Sequence, residues 1–320
     1  MEKNRKILIS ILSLFIMCLV IAMFDISLQL KSDSGGGGDI NVRPISMRSI
    51  KFGPGIGVVR VEGAIEMGAN QLGIRNGAEA VIGRIDELMS NSGNIKAIVL
   101  RINSPGGTVA ATQEIYQKLW QARKKNIPLV ASMGDIAASG GYYIASACNV
   151  IYANYGTLTG SIGVIAYTPN MKKLFDNVGI RMDVIKSGRY KDIMSSWRDI
   201  SDDERRLLQE MINSSYKRFL SDVSLGRNIP IAELEPYADG RIVNGDMAKS
   251  YKLIDEIGGF EESLAKAKEL AGLSSDAPVY EETVNPFHQI LLNLEGVFKG
   301  GILEKAASAD FYRFEYRYVQ

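Results

Sequence analysis

The sequence predicts an α/β fold built on a largely parallel sheet. From residue 56 onward, short apolar runs rich in β-branched residues alternate with longer stretches of helical spacing. Such strand-then-helix alternation is typical of right-handed βαβ crossovers, which place the strands side by side under a cover of helices. Glycine-rich turns follow two of the predicted strands, at the sheet edge where sites form in such folds.

Four short apolar runs are predicted to be the strands. They lie at Ile56–Val61, Lys96–Ile102, Pro128–Ser132 and Val150–Ala153. β-Branched and aliphatic residues dominate these runs, which is typical of parallel strands buried under helices. We therefore expect each run to lie inside the sheet.

The stretches between and after these runs are predicted to be helices. In the first of them, apolar residues recur at helical spacing from Ala80 to Met89. Ser201 and Glu204 form a capping-box pattern before a long amphipathic stretch. Helices are predicted at Gly77–Ser90, at Thr108–Lys125, directly after Ser139, and at Asp202–Arg227, Asp246–Tyr251 and Phe260–Ala271.

Composition sets few limits on partners. The 320 residues carry a net charge of +1, which gives no electrostatic argument for binding nucleic acid. The two cysteines, Cys18 and Cys148, lie in unrelated segments, and no Cys/His spacing suggests a metal site. We therefore predict no metal, no cofactor and no nucleic-acid partner.

The N-terminus is predicted to anchor the chain in a membrane. Three basic residues precede an apolar run over 7–24, whose eighteen residues would span about 27 Å as a helix. The basic flank predicts that the remainder of the chain lies outside the cytoplasm. A cleaved signal peptide is the alternative. We expect an uncleaved anchor over 1–25, followed by a flexible, glycine-rich linker over 26–55.

Ser139 is the first candidate catalytic residue. It stands where the third strand gives way to a helix, between two alanines and two glycines. A strand-to-helix turn exposes the side chain at its tip, and small neighbours let another backbone approach it. Ser139 is therefore a candidate nucleophile, and a simple helix cap is the alternative.

Two glycines are candidate donors for an oxyanion hole. Gly140 opens the helix after Ser139, where backbone N–H groups are unpaired and carry partial positive charge. Gly106 lies in the Pro-Gly-Gly turn after the second strand, which would reach the same edge of the sheet. Both N–H groups could face a developing oxyanion. For Gly106, an ordinary loop is the alternative.

The general base of such a site is predicted to be a lysine. The single histidine, His288, lies in a C-terminal segment with weak structural signals, which argues against a Ser-His-Asp triad. Lys186 and Lys191 lie close together, and spacing does not choose between them. Ser161, in a run of small and hydroxyl-bearing residues, could orient a neutral lysine or merely satisfy a turn.

Four motifs in a fixed order carry a resemblance to a known family. They are Ser104-Pro105-Gly106-Gly107, Asp135–Tyr143, Gly160–Val164 and Ser187–Asp192. Together they resemble the bacterial signal peptide peptidase A family, serine peptidase family S49, in its short form with one Ser-Gly-Gly unit. The likeness runs from about residue 56 to residue 272. It implies a Clp protease/crotonase-like fold of repeated ββα and βαβ units with additional helices, preceded by one transmembrane helix.

The resemblance also implies a role for each candidate residue. Ser139 would be the nucleophile, and Lys191, which follows the Gly-x-Tyr segment, would be the general base. Ser161 would position the Lys191 amine. The N–H groups of Gly106 and Gly140 would form the oxyanion hole. The implied activity is that of a serine endopeptidase with a Ser-Lys dyad and no cofactor.

The resemblance further implies substrates, assembly and location. The expected substrates are remnant signal peptides and other apolar peptides, degraded at the extracytoplasmic face of the cell membrane. From their positions, Ile136, Leu158 and Ile162 are predicted to line an apolar pocket for them. The expected assembly is a homo-oligomeric ring of about eight subunits, in which serine and lysine meet across neighbouring chains.

The peptidase domain is expected over 56–273 and a tail over 274–320. Alternating aromatic and charged residues at Phe311–Gln320 predict a strand-like end. This end could bind in the chain's own cleft by strand addition, or it could pack on a neighbour. Two other functions stay open, an acyl-CoA-binding crotonase and an inactive membrane scaffold, but neither needs Ser139 together with Lys191.

Overall fold

The computed structural model describes residues 53–68, 77–281 and, for the backbone alone, 315–317. The predicted membrane anchor, almost all of the predicted linker and most of the predicted tail lie outside these residues. In the three described ranges, no helix is long and apolar enough to cross a membrane. The described residues therefore cover the predicted peptidase domain apart from residues 69–76.

Strands and helices alternate along the first half of the domain, as the sequence predicts. In chain order, the strands are β1 (Gly55–Glu62), β2 (Ile95–Ser104), β3 (Gly106–Thr108), β4 (Leu129–Ala138), β5 (Val150–Ala153), β6 (Leu158–Gly160), β7 (Ile242–Asn244), β8 (Glu256–Ile257), β9 (Val279–Glu281) and β10 (Glu315–Arg317). The helices are α1 (Gly77–Ser90), α2 (Val109–Lys124), α3 (Gly140–Ala145), α4 (Lys172–Val178), α5 (Asp202–Arg227), α6 (Ile231–Leu234), α7 (Gly245–Ser250) and α8 (Phe260–Leu270). A 3₁₀ helix at Glu235–Tyr237 follows α6.

Most of the strands form one largely parallel sheet, which confirms the predicted α/β class. Its main path runs β7-β6-β4-β2-β1-β9, and β5 pairs with β4 and with β8. Among the described strands of this sheet, the pairings are parallel except that of β6 with β7. Parallel neighbours need crossover connections. Helices α1, α2 and α3 supply them between β1, β2, β4 and β5.

Strand β4 is longer than predicted. The sequence places its end at Ser132, but the strand continues to Ala138. Its first half pairs with β5, and its last residues pair with β6. At the change of partner, the Asn103 side-chain oxygen accepts a hydrogen bond from the Ile136 N–H at 3.2 Å. The extension carries the chain to the carboxyl edge of the sheet, where Ser139 follows.

The sheet is buried on both faces. Side chains alternate along β2, so that Ile98 and Leu100 join the core formed with α1 and α2. Ala97 and Val99 point to the other face, where they pack in a cluster with Leu264 of α8. Burial of both faces explains why this strand is a continuous apolar run in the sequence.

Helix α5 is the longest described helix, and it begins as predicted. Ser201 Oγ accepts from the Glu204 N–H while the Glu204 carboxylate accepts from the Ser201 N–H, which completes a capping box. Its 26 residues rise about 39 Å. Near its end, a Cβ added to Gly226 would stand 2.1 Å from the Ser146 carbonyl oxygen. Helix α5 therefore packs directly behind α3.

Between β6 and α5 the chain forms an extended segment, residues 165–200, that we call the arm. Helix α4 lies within it, and every residue from 176 to 191 is exposed. The arm presents a set of large exposed apolar side chains, at Leu174, Val178, Ile180, Met182, Val184 and Ile185. In the described residues, nothing covers this apolar surface.

Candidate active site

The turn at Ser139 joins β4 to α3 in a strained conformation. Ser139 has φ 52° and ψ −114°, a combination that residues other than glycine rarely adopt. Its N–H donates to the Gly160 carbonyl at 2.8 Å, and its own carbonyl accepts from the Tyr143 N–H at 2.8 Å. The Ser139 hydroxyl makes no capping hydrogen bond to α3. Strain of this kind persists only where surrounding contacts fix it, and it is characteristic of functional sites.

Ser161 lies beside Ser139 at the same edge of the sheet. Ala138 and Gly160 are partners in the parallel pairing of β4 with β6, and the two serines are the residues that directly follow these partners. Ser161 also has a positive φ, 51°, and its N–H donates to the Arg241 carbonyl at 2.7 Å. Among the described residues, neither serine hydroxyl has a hydrogen-bond partner. Both hydroxyls are therefore free to take part in chemistry.

Gly106 and Gly140, the two predicted oxyanion donors, lie on two different elements at this edge of the sheet. Gly140 is the first residue of α3, so its N–H has no acceptor within the helix. Gly106 follows β2, whose last residue, Ser104, pairs with β4. Helix α3 packs tightly on this end of β2, because a Cβ added to Gly141 would stand 2.7 Å from the Ser104 carbonyl oxygen.

Ser104 is a site residue to which the sequence analysis assigned no role. Its buried Oγ accepts a hydrogen bond from the Gly106 N–H at 3.1 Å. Gly106 itself has φ +102°, which side-chain-bearing residues rarely adopt. An oxyanion at Ser139 would share or replace the bond to Ser104. No local sequence pattern separates this contact from the hydrogen bonds of an ordinary turn.

Strand β3 offers a sheet edge beside the nucleophile. On one side, Ile65 N–H donates to Gly106 O at 2.9 Å and Thr108 N–H donates to Ile65 O at 2.8 Å. The backbone groups of Gly107, between them, face the opposite side, because the polar groups of successive strand residues alternate in direction. Strand β10 pairs antiparallel with β3, and it also contacts α3. Residues 315–317 thus lie as an added strand next to the helix that follows the nucleophile.

Two of the three predicted pocket residues lie at the surface of this edge. Ile136 and Leu158 are partners in the pairing of β4 with β6, and both are at least partly exposed, Leu158 at 39%. Ile162 is fully buried in the core, which leaves no surface for a substrate to touch. Ile136 and Leu158 therefore stay candidates for the predicted pocket.

Lys191 lies on the arm and is exposed to solvent. In the part of the chain that the structure describes, its Nζ makes no hydrogen bond or ion pair, with Ser139 and Ser161 or with any other residue. Lys186 differs, because its Nζ donates to the Asp192 carboxylate. Of the two candidate bases, Lys191 is therefore the one without a counter-ion among the described residues.

Arg198 and two carboxylates form a charged cluster that the sequence analysis missed. This cluster fixes the backbone beside Lys191. Arg198 Nε donates to Asp192 Oδ2 at 2.9 Å, and Arg198 Nη1 donates to Glu204 Oε2 at 2.9 Å. The Arg198 guanidinium, followed by Lys186, holds the pKa of Asp192 well below its usual range. Arg198 also lowers the pKa of Glu204 to about 2. In the described ranges, no group of His, Cys, Asp and Glu side chains is arranged to hold a metal ion, and these two carboxylates bind Arg198.

Helix α3 is fixed from behind by two buried tyrosines. Tyr143 OH donates to the Asp222 carboxylate of α5, and Tyr142 OH donates to the Leu253 carbonyl at 2.9 Å. Arg218 Nε donates to the same Asp222 oxygen at 2.7 Å. Burial raises the pKa of Tyr142, so this phenol stays neutral. These bonds hold the helix whose N-terminus carries the strained turn.

Comparison with known proteins finds two matching families. The model of Peptidase family S49 matches residues 121–274, and the model of Clp protease matches residues 75–151. The matched ranges contain Ser139, Gly140, Ser161 and Lys191 in the first case and Gly106 in the second. The Clp protease match agrees with the α/β sheet described above.

The relatives found by comparison are named as proteases. A Synechocystis sp. protein assigned as a protease is 48% identical over 180 residues, which are 56% of this chain and 65% of that protein. An Enterococcus faecium protein assigned as signal peptide peptidase SppA is 38% identical over 187 residues, 58% of this chain and 54% of that protein. Protease 4 of Salmonella typhi is 34% identical over 253 residues, 79% of this chain and 38% of that protein. The chain thus spans less than two thirds of the length of each of these relatives.

Proposed function

We propose that the chain is a serine peptidase of family S49 in which Ser139 and Lys191 form the catalytic dyad. The observation that carries the proposal is a strained, buried serine at the sheet edge where Gly140 begins α3 and Gly106 follows β2. Acyl transfer requires a nucleophile held at a sharp turn and backbone donors aimed at the developing oxyanion.

The proposed reaction runs through an acyl-enzyme. Neutral Lys191 takes the Ser139 proton as the serine oxygen attacks the peptide carbonyl, and the oxyanion binds the N–H groups of Gly106 and Gly140. Lys191 then gives the proton to the leaving amine, and water activated by the same lysine hydrolyses the ester. Each oxyanion donor is expected to contribute about 3 kcal/mol of transition-state stabilisation.

We propose that a second copy of the chain completes this site. Lys191 is exposed and has no bonding partner among the described residues, and the same arm exposes the apolar side chains named above. Docking of the arm on a neighbour in a closed ring of about eight subunits would bring Lys191 to Ser161, which would orient its amine. Burial at that interface would lower the pKa of the lysine and supply the neutral base.

Extended peptides are the proposed substrates, bound by strand addition at the side of β3 that β10 occupies in this structure. The pairing of β10 with β3 supports this mode, because it demonstrates that the edge accepts an antiparallel strand. Ile136 and Leu158 would contact apolar substrate side chains. We propose that the tail strand at 315–317 competes with substrate for this edge.

Remnant signal peptides fit these requirements because they are apolar and extended once they leave a helix. One of the relatives, the Enterococcus faecium protein, is named for this activity. The apolar run over 7–24 would anchor the chain by a single span and keep the catalytic domain at the extracytoplasmic membrane face.

Turnover of an apolar fluorogenic peptide by purified variants tests the dyad. We expect Ser139→Ala and Lys191→Ala each to abolish turnover, whereas the matched control Lys186→Ala retains it. When the two inactive variants are mixed during assembly, turnover should return at up to about one quarter of sites if serine and lysine come from neighbouring chains. A dyad formed within one chain would give no such recovery.

Two results would overturn the proposal. Full activity of Lys191→Ala would place the base elsewhere. A wild-type chain that neither cleaves peptide nor labels at Ser139 with a fluorophosphonate, with or without its tail, would favour the inactive scaffold. An acyl-CoA-binding crotonase would likewise give no Ser139 label.

A further inference from the structure

We infer that Arg198 is a positioning residue that holds the Asp192 carboxylate away from Lys191 and so leaves Lys191 without a counter-ion. The inference rests on the proposed role of Lys191 as the general base. It assigns a task to a cluster of partly buried charges that the dyad chemistry does not itself explain.

The need for such a device follows from the sequence. Asp192 is the residue directly after Lys191, and a carboxylate within about 4–6 Å of an amine stabilises its charged form. A Lys191 ammonium paired with Asp192 would hold its proton more tightly and be a poorer base. An acidic neighbour next to a catalytic lysine is therefore a liability unless it is engaged elsewhere.

The structure engages both oxygens of Asp192 elsewhere. Arg198 Nε donates to Oδ2 and Arg198 Nη2 donates to Oδ1, both at 2.9 Å, in the two-pronged geometry that guanidinium favours. Lys186 Nζ also donates to Oδ1. The Asp192 side chain is only 9% exposed, whereas its neighbour Lys191 is exposed. The two adjacent side chains therefore occupy different environments.

Arg198 can hold Asp192 because Arg198 is itself fixed. It donates to Glu204, whose carboxylate also closes the capping box of α5 by accepting from the Ser201 N–H at 2.9 Å. Arg198 Nη2 additionally donates to the Asp192 backbone carbonyl at 2.9 Å. The clamp is thus attached to the start of the longest described helix, and it fixes the backbone that carries Lys191.

Two of the three acidic residues in the first turn of α5 are also held in ion pairs. Asp203, on the first turn of α5, binds both Arg189 and Arg206. Glu204 binds Arg198. Asp202 is the remaining acid of that turn, and no ion pair with Lys191 is formed by it among the described residues. Asp192 is therefore the carboxylate that loss of Arg198 would release next to the base.

The test is the pH dependence of Arg198→Gln in the full-length chain. The readouts are peptide turnover and the rate of Ser139 labelling by a fluorophosphonate. If the freed Asp192 pairs with Lys191, the lysine pKa rises and a smaller fraction of the amine is neutral at a given pH. The limb on which the rate rises with pH should then move to higher pH by about one unit in both profiles. Rates at a pH below this limb should be roughly tenfold lower, and rates above it should recover.

A second substitution makes the test specific. In the Arg198→Gln background, Asp192→Asn removes the released carboxylate and should return the limb to its wild-type position. An unmoved limb with uniformly lower rates, or a limb that the second change does not restore, would reduce Arg198 to a structural role and overturn the inference.

The single variant Asp192→Asn covers the case in which Arg198→Gln fails to fold or assemble. We expect its limb to stay at the wild-type position, because Arg198 already keeps Asp192 from Lys191. A limb moved to lower pH would mean that the two side chains interact in the wild type, which contradicts the inference. Lys191→Ala distinguishes failure of the proposed dyad from failure of this inference. An active Lys191→Ala variant would contradict the dyad. An inactive Lys191→Ala variant together with an unmoved limb in Arg198→Gln would contradict only the role of Arg198.

Discussion

The nucleophile turn and the arm are two halves of one proposed dyad, and they are held in opposite ways. Ser139 is 1% exposed, and the helix behind it is bonded to α5 through Tyr143 and to the Leu253 carbonyl through Tyr142. Residues 176–191 of the arm are all exposed. The serine is therefore preorganised within one chain, whereas the lysine is presented outward.

The two ends of the arm differ in how they are held. Its outer stretch is exposed, but the stretch from Asp192 to Arg198 is tied to the first turn of α5. Helix α5 thus holds the arm at its N-terminal end and, through Asp222, the nucleophile helix nearer its C-terminal end. One rigid element of about 39 Å therefore sets the spacing between the serine of a chain and the lysine that it offers outward.

A pair of glycine substitutions should separate the two regions most strongly. A Cβ added to Gly141 would stand 2.7 Å from the Ser104 carbonyl oxygen, so Gly141→Ala must push α3 away from the end of β2. Because a shift of about 1 Å in such a site costs about a hundredfold in rate, we expect that loss in peptide turnover.

The matched control is Gly188→Ala on the arm. A Cβ at Gly188 meets nothing within 4 Å, so this variant should keep turnover within a few-fold of the wild type. Equal losses in the two variants would contradict the view that the serine turn is the more rigid half.

Removal of one buried hydroxyl tests how firmly α3 is held. Tyr143→Phe withdraws a donor from the buried Asp222 carboxylate, and we expect the free energy of unfolding to fall by about 1–3 kcal/mol. Tyr155→Phe is the control, since Tyr155 is 67% exposed and should change stability by less than about 0.5 kcal/mol. Urea denaturation of both variants measures the difference, and equal midpoints would remove Tyr143 as an anchor.

The sequence predicts the nucleophile half well because its signals are local. The strands, the turn at Ser139 and the capping box at Ser201 and Glu204 each follow from residues a few positions apart, and the structure confirms them. The end of β4 is the exception. The residues after Ser132 include Gly134 and Asp135, which resemble a loop, and only pairing with β6 makes them a strand.

The sequence predicts much less about the contacts that join distant segments. Asp192, Arg198 and Glu204 fit no helical or strand period, so their association is visible only in the folded chain. Ile162 is an apolar residue beside a candidate site, and sequence position alone cannot tell a pocket wall from a core side chain. The pairing of β10 with β3 involves three residues on each side, too few for a pattern to specify a partner.

Truncation of the tail tests whether β10 limits the access of substrate to the site at Ser139. Deleting the residues after Ala306 removes β10 from the edge of β3. If that strand occupies the substrate site, the KM for an extended peptide should fall several-fold while kcat changes little, because a competitor has been removed. Tyr316→Pro should act in the same direction, since proline cannot donate the backbone hydrogen bond that strand pairing needs. An unchanged KM in both variants would mean that the tail and the substrate use different surfaces.

Acid should weaken the contacts that tie residues 192–198 of the arm to α5, and this is the smallest effect that we expect. The bonds from Arg198 and the Ser201 N–H lower the pKa of Glu204 to about 2 from its ordinary value of 4.5. A carboxylate with a lowered pKa stabilises the fold fully above its ordinary pKa, and that contribution is lost as the pH falls from about 4.5 towards about 2. Amide hydrogen exchange over residues 192–204 should therefore accelerate in this window relative to Glu204→Gln measured at the same pH, because the variant has no carboxylate to protonate. If wild type and variant respond to acid identically, Glu204 does not tie the arm to α5, and the lysine half would have to be held by its neighbour alone.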